Sequence, residues 1–375
     1  MSSTENPRPA IKRAIVVIGV IIIVVVGWSG FKVWSAWQDV DRVGFDTERA
    51  REALGVPELE SNTATPDPTT PSATEATATT EATATTTTTA TAAASATVPP
   101  IFLDRGRLNA FLVMGVDDST KRADVILLVM LPPDSGDAVM VSIPRDLFVF
   151  NPCQKRNTKI NENLWGCPSV GVSGPEQLAV AIEDFTRIPI DHFARFTFSG
   201  FEQIIDHLGG VEICVGDYPI RDLNEDFDDF QMPAGCSNAD GGQALSWMRS
   251  RRTQQLTESG WQTVPGINDL TRNERQQEML LTALEHLKQI RSLPELQVLV
   301  ADVSDAFTID DGLGFGETVA LLWDVRTISS DDTYRVALEV RFSSDEIHGD
   351  ILLLEIPFQD AIIDAYPPAR KFLEE

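Results

Sequence analysis

The first long hydrophobic pattern in this chain has no polar face. From Ala14 to Phe31 the residues are nearly all Ile, Val and Gly. At ~1.5 Å per residue this run rises roughly 27 Å as a helix, close to the thickness of a bilayer core. Trp28, Trp34 and Trp37 stand where an interfacial aromatic belt would lie, and Lys32 can snorkel. The pattern predicts a transmembrane helix with its aromatic interface over 14–37. A cleaved signal peptide is the competing reading. The run is long for one, however, and no clear small-x-small cleavage site follows it. Residues 1–13 carry Arg8, Lys12 and Arg13 against Glu5, which puts the N-terminus in the cytoplasm and everything after the span outside.

Further along, apolar runs of strand length alternate with stretches of helical period. Ala110–Val116, Val125–Leu131, Ala138–Ile143, His192–Phe198 and Val211–Val215 read as strands, and Gly174–Thr186 and Phe201–Leu208 as helices. Leu280, Leu284 and Leu287 form one stripe of a third helix, with Thr271 as N-cap and Glu274 completing a capping box. Val298–Val303, Val319–Trp323, Tyr334–Val340 and Ile351–Ile356 can add helix and strand to the same sheet. The fold class predicted is α/β, an α-β-α sandwich on a mixed central sheet. Phe193, Phe196, Phe198 and Phe201 read as core, with a lipid-lining role as the minority alternative.

Between these two regions, Ser61–Pro100 is a Thr, Ala, Pro and Glu tract holding sixteen threonines. It has too little apolar surface to offset its chain entropy and is predicted to be disordered. The expected division is a cytoplasmic N-terminus (1–13), the membrane span (14–37), a juxtamembrane segment (38–60), the tract (61–100), an extracytoplasmic domain (101–366) and a tail (367–375). Within the juxtamembrane segment, Val40–Val43 reads as a short strand and Thr47–Leu54 as a short helix. The tract is then either a stalk or a loop inserted after the domain's first strand.

Charge narrows the function. The 375 residues carry 56 acids against 30 Lys and Arg, a net −26, which argues against a nucleic-acid partner, because phosphate binding rests on a basic surface. Cys153, Cys167, Cys214 and Cys236 are too far apart for CxxC metal pairs. Two disulfides, Cys153–Cys167 and Cys214–Cys236, are their simplest use in an oxidising compartment, though the sequence leaves two other pairings open. Against this acidic background Arg249, Arg251, Arg252, Arg272 and Arg275 crowd into about thirty residues, an arrangement that either holds an anion or pairs with nearby acids. Asp117-Asp118 end one predicted strand, Lys121-Arg122-Ala123-Asp124 open the next, and Pro144-Arg145-Asp146 follow a third. Hard carboxylates beside guanidiniums suit Mg²⁺ or Mn²⁺ and phosphoryl transfer, in which the protein mainly positions the group and neutralises its charge.

These residues also carry a resemblance. Gly115–Asp118 (GVDD), Arg122–Asp124 (RAD), Ser142–Asp146 (SIPRD), Lys159–Asn161 (KIN), Leu208–Val211 (LGGV), Gly241–Arg251 (GGQALSWMRSR) and Asp269–Gln277 (DLTRNERQQ) occur in the order found in the LytR–CpsA–Psr family of bacterial envelope proteins. The resemblance covers about Asn109 to Ile290, and the cysteine pairs and Thr/Ala tract make it similar to actinobacterial members. It implies a membrane-anchored, metal-dependent phosphotransferase that moves a glycopolymer from a polyprenyl-diphosphate carrier onto peptidoglycan. It assigns Asp117 and Asp124 to the metal, and Arg145, Arg249, Arg251 and Arg272 to catalysis. Arg122, Arg275 and Gln276 fall on diphosphate-binding positions, with a structural role as the alternative for Arg275. Asp269 matches an acid that orients Arg272 or helps deprotonate the acceptor hydroxyl.

Three departures from the family stand out. Ser119 replaces an arginine common in the family. Glu162-Asn163-Leu164-Trp165-Gly166-Cys167 replaces small residues and glycines. The loop Thr253–Asn268 is long, and Trp261 makes it a candidate lid over the acceptor site. The rival from another class is a non-catalytic protein that holds a polyprenyl phosphate and tethers or signals.

Overall fold

The computed structural model describes residues 35, 37, 38, 40–59, 108–117, 122–132, 136–223, 230–266, 269–287, 289–302, 304–325, 328 and 331–373. The predicted membrane span lies outside these residues, except for its last few positions, as does the Thr-rich tract. Among the described residues no helix is long and apolar enough to cross a membrane.

The strands are β1 Asp41–Val43, β2 Asn109–Val116, β3 Ala123–Leu131, β4 Ala138–Ser142, β5 Phe148–Asn151, β6 Arg156–Lys159, β7 His192–Thr197, β8 Val211–Cys214, β9 Ile220–Asp222, β10 Phe230–Met232, β11 Cys236–Ala239, β12 Gln254–Thr257, β13 Gly260–Thr263, β14 Phe307–Asp310, β15 Thr333–Val336, β16 Val340–Asp345 and β17 Gly349–Leu354. The described helices are α1 Thr47–Leu54, α2 Gly174–Thr186, α3 Phe198–His207, α4 Gly241–Arg249, α5 Asp269–Leu287, α6 Leu293–Asp302, α7 Phe315–Val325, α8 Phe358–Ala365 and α9 Arg370–Leu373.

Seven strands form the central mixed sheet, in the order β1-β14-β7-β2-β3-β4-β15. β3 runs antiparallel to its neighbours β2 and β4, while β7 pairs with β2 in parallel and β15 with β4 in parallel. Side chains alternate across the sheet. Leu112, Met114, Ile126, Leu128, Val139 and Val141 pack on one face with Leu178 and Ile182 of α2 and Ile362 of α8. Val125, Leu127 and Met140 face the other way, against Leu281 of α5. Period-2 strands buried on both sides between period-3.6 helices give the layered α/β arrangement expected from the pattern.

Two helices are set by capping boxes. Ser173 and Glu176 exchange side-chain and backbone hydrogen bonds at the start of α2, and Asp240 and Gln243 do the same for α4. The α4 start lies so close to α3 that a Cβ on Gly241 would sit 2.3 Å from the Glu202 carbonyl oxygen, so only glycine fits there.

Several expectations need correction. Trp37, expected at the bilayer interface, is buried against Leu296, Leu299 and Val319, with its ring 5.2 Å from Phe315. β1 pairs in parallel with β14, and α1 is tied to α2 by Arg49–Glu176 (2.6 Å) and Arg51–Glu183 (3.0 Å). The folded domain therefore begins before the Thr-rich tract, which agrees with the alternative that places the tract after the domain's first strand. Pro367–Leu373, expected as a tail, forms a 3₁₀ turn and α9, with Ala369 buried and Phe372 and Leu373 against the main core. Thr271 lies inside α5 rather than capping it, because the helix starts at Asp269. Ile351–Ile356 does not join the central sheet; β17 pairs with β16 in a separate two-stranded ribbon. The Thr253–Asn268 stretch contains a hairpin, β12–β13, that extends the small sheet through β9. Its Trp261 ring stacks under Arg221 at 4.3 Å. Cys153 bonds to Cys167 and Cys214 to Cys236, the pairing taken as simplest.

Candidate functional site

Because β2 and β7 run one way and β3 the other, the end of β2, the start of β3 and the ends of β4 and β7 meet at one edge of the sheet. Asp117 follows β2 there, and Asp124 lies in the first turn of pairing of β3. Their pairing slips at this point: Gly115 faces Val125 while Val116 faces Ala123, leaving Asp124 as the extra residue of a bulge. Bulges re-aim side chains. In unbroken register Asp124 would face Val116 and point into the core that Ala123 now enters. Gly115 admits the bulge's neighbour, since a Cβ there would meet the Phe196 ring at 2.9 Å.

Asp124 pairs through Oδ1 with the guanidinium of Arg145. Arg145 Nε also donates to Asp146 Oδ2 at 3.3 Å, and Lys159 Nζ approaches Asp146 Oδ1 at 2.8 Å. Burial alone would raise the Asp146 carboxyl. The hydrogen bond from Lys159 and the charges of Arg145, Lys159 and Arg272 outweigh it and hold Asp146 below the usual carboxylate range. The charge of Arg272 thus reaches this edge from α5, which packs across β3 and β4.

A second arm comes from α4. Arg249 lies 3.7 Å from Asp117 Oδ2, with its guanidinium over the Phe198 ring at 4.5 Å. Beyond it the chain turns sharply, and Asp222 of β9 organises that turn. Its buried Oδ2 accepts from Ser250 Oγ at 2.5 Å and from the backbone N–H groups of Arg251 and Arg252 at 3.0 Å each. Arg251 is consequently presented, exposed, on a fixed backbone. Asp222 was missed in the sequence, where nothing in Ile220–Asp222 marks a partner thirty residues away.

The remaining predicted residues sort by surroundings. Arg275 turns inward: it donates to the carbonyls of Trp247 (3.2 Å) and Ser250 (3.0 Å) and to Thr253 Oγ1 (3.2 Å), and it stacks on Trp247 at 3.8 Å. Burial pushes its guanidinium down to about 10, against the upward pull of Asp222, Glu278 and Glu274. It closes the C-terminal end of α4, a structural brace rather than a group held open for substrate. Gln276 is buried, and its Oε1 has no hydrogen-bond partner among the described residues. Arg122 is exposed just before β3, with its guanidinium over the Trp165 ring at 5.2 Å. Asp269 opens α5, but its side chain lies outside the described positions, as do Asp118 and Ser119.

Whether Asp117 and Asp124 suit a hard divalent ion turns on their oxygens. Both are carboxylates at adjoining strand ends and only partly buried. The hydrogen bond from Arg145 falls on Oδ1 of Asp124. One or two carboxylates completed by phosphate oxygens and water is how Mg²⁺ is commonly held, so the donor set fits. The described residues place three potential ligands together elsewhere, at Glu212, Cys214 and Cys236, but both cysteines there are consumed by their disulfide.

The chain is similar in sequence to two cell-wall proteins and in fold to a solved one. Cell wall biosynthesis protein LcpB of Corynebacterium glutamicum, named as probable, is 29% identical over 209 residues, covering 53% of this chain and 43% of that one. The polyisoprenyl-teichoic acid–peptidoglycan teichoic acid transferase TagU of Enterococcus faecalis is 22% identical over 247 residues, covering 64% and 68%. This chain thus spans less than half the length of the corynebacterial relative. The solved LytR-Csp2A-Psr enzyme from Actinomyces oris superposes with a TM-score of 0.53 at 24% identity, covering 68% of this chain and 89% of that one, a likeness of fold. The LytR_cpsA_psr family profile matches residues 71–348, most of the chain and every element of the edge described above. The chain belongs to the LytR–CpsA–Psr family.

Proposed function

We propose that this protein is a membrane-anchored, extracytoplasmic phosphotransferase that ligates a glycopolymer from a polyprenyl-diphosphate carrier onto peptidoglycan. One observation carries the reading: a solvent-open edge where Asp117, Asp124 and Asp146 alternate with Arg249, Arg145 and Lys159, and where the charge of Arg272 converges. A family relative is named for transfer of a polyisoprenyl-linked polymer to peptidoglycan. The two disulfides suit an oxidising, extracytoplasmic compartment. The apolar run at 14–31 supplies the anchor.

In this reading Arg145, Arg249, Arg251 and Arg272 cradle the diphosphate and neutralise the charge that builds on its oxygens. Asp117 and Asp124 hold Mg²⁺ or Mn²⁺, which when bound withdraws charge from the phosphoryl oxygens. The acceptor hydroxyl of peptidoglycan gives up its proton to solvent water as its oxygen bonds to the phosphorus that bears the polymer. The bond from that phosphorus to the bridging oxygen breaks, and polyprenyl phosphate leaves. Catalysis is then almost wholly positioning and electrostatics, and each fixed donor is worth about 10²–10³ in rate.

Asp124→Ala and Arg251→Ala are expected to abolish transfer while leaving circular dichroism and melting behaviour unchanged. The assay is polymer transfer from a diphosphate lipid to wall acceptor by the full-length chain with Mg²⁺. Wild-type rates in both variants would sink the mechanism, and binding without turnover by the wild type would favour the tethering role.

A further inference from the structure

One of the segments that depart from the family pattern, Glu162–Cys167, follows directly on a residue of the site. Lys159, whose Nζ reaches Asp146, is the residue before a 3₁₀ segment, Ile160–Trp165. Those six positions lead from Lys159 to Trp165. Every residue around the last of them is pinned. Asn163 is fully buried, donating to the Ile160 carbonyl at 3.2 Å and accepting from Gln177 Nε2 at 3.1 Å. Leu164 is buried in the main core. Gly166 turns the chain at a positive φ of 72°, where a Cβ would strike the Val172 carbonyl at 2.7 Å. Cys167 is then held by its disulfide to Cys153 and by a hydrogen bond from its N–H to Val172.

Within this rigid frame Trp165 alone points outward, 47% exposed, with the Arg122 guanidinium lying over its ring. Arg122 is two residues from Asp124, so the pair borders the charged edge from both chain directions. An exposed indole on a frame with no freedom to bury it presents a flat apolar face of fixed orientation. Such a face suits the C–H face of a sugar ring, while the neighbouring guanidinium suits an anion.

We infer that Trp165, oriented by Arg122, is the stacking platform for the first sugar of the donor, the one attached to the diphosphate. The inference rests on the function proposed above. It assigns Trp165 to donor specificity and gives the departure at Glu162–Cys167 a purpose, since small residues and glycines offer no such face. The donor is favoured over the acceptor because the Arg122 guanidinium over the Trp165 ring offers a cation to the phosphate that adjoins the donor's first sugar.

The test uses the full-length chain in detergent and three probes: farnesyl diphosphate, farnesyl-diphospho-N-acetylglucosamine and chitotetraose, titrated calorimetrically with Mg²⁺. The wild type should prefer the sugar-bearing diphosphate by about fivefold to tenfold, as expected of one aromatic contact. Trp165→Ala should erase that preference while leaving farnesyl diphosphate affinity within about twofold, and Trp165→Phe should keep most of it. Arg122→Ala should weaken both diphosphates. An unchanged preference in Trp165→Ala overturns the platform. So does a loss confined to chitotetraose, which would move the ring to the acceptor. Failure of the wild type to bind farnesyl diphosphate at all removes the diphosphate site itself, and the platform with it, an outcome distinct from the other two.

Discussion

Two carboxylate–guanidinium pairs in this molecule look alike in sequence and differ in what they can do. Arg51–Glu183 joins α1 to α2, with side chains 4% and 1% exposed. Glu183 also accepts from the Ile190 N–H at 2.8 Å, and Arg51 donates to the Pro57 carbonyl at 3.0 Å. Arg145–Asp124 sits at the sheet edge with side chains 21% and 18% exposed. Removing water from both members of the first pair leaves neither charge able to accept a new partner without a large penalty. The second pair keeps its solvent, so an incoming phosphate can exchange for water around Arg145 at modest cost. Enclosure, more than the identity of the pair, separates a clamp from a binding site.

The largest effect expected from breaking this comparison comes from exchanging the two arginines' fates. Arg145→Ala should cut transfer by about 10²–10³ and leave the melting temperature nearly unmoved. Arg51→Ala should cost roughly 3–5 kcal/mol of stability, because it strands a buried carboxylate, while activity per folded molecule stays near wild type. Denaturant unfolding beside a transfer assay reads both, and the reverse pattern would erase the distinction.

Asp222 falls between the two classes, since it is buried like Glu183 yet serves an exposed residue, Arg251. Asp222→Ala should therefore register in both measurements: a loss of about 1–3 kcal/mol from unsatisfied donors, and a fall in kcat as the Arg251 turn loosens. A stability loss with kcat unchanged would make it a clamp only.

The smallest effect is in acid. Asp146 is held below its ordinary value of 3.8, so its stabilisation is present above that pH and fades as pH falls through the depressed folded value. Asp146→Asn should therefore differ from wild type at pH 6, and the difference should shrink only as the pH falls below 3.8. Glu183 runs the other way. Burial raises it above its ordinary value of 4.5, more than the Ile190 N–H and Arg51 lower it. The folded chain then keeps its proton longer than the unfolded one, and stability falls as pH rises above 4.5. Glu183→Gln should flatten that fall, as read from urea midpoints between pH 4.5 and 7; an unchanged slope would remove Glu183 as its source.

Much of the fold was written in local pattern. The strands β2, β3, β4 and β7 and the helix α2 are strongly periodic and carry their own stop signals, so period alone places them. The strand and helix at Asp41–Leu54 were legible too, but not their partner: β1 pairs with β14, more than 260 positions later, and no local signal encodes that distance. The small strands β9 to β13 went unread because three or four residues give no period to detect. Trp37 was assigned to the bilayer interface because tryptophans after an apolar run suit one, whereas tertiary packing gave it a protein core.

The sequence by itself determined the alternation of strand and helix, the excess of acid, and the types and order of the motif residues, since composition and period are properties of neighbours. Only the tertiary structure decided that Asp124 is aimed by a bulge, that Asp222 holds the Arg251 turn, that Arg275 faces inward while Arg249 reaches Asp117, and that Trp165 stands exposed beside Arg122. Those outcomes depend on register and burial, which arise when distant segments exclude water from one another, and neither can be read from one segment alone.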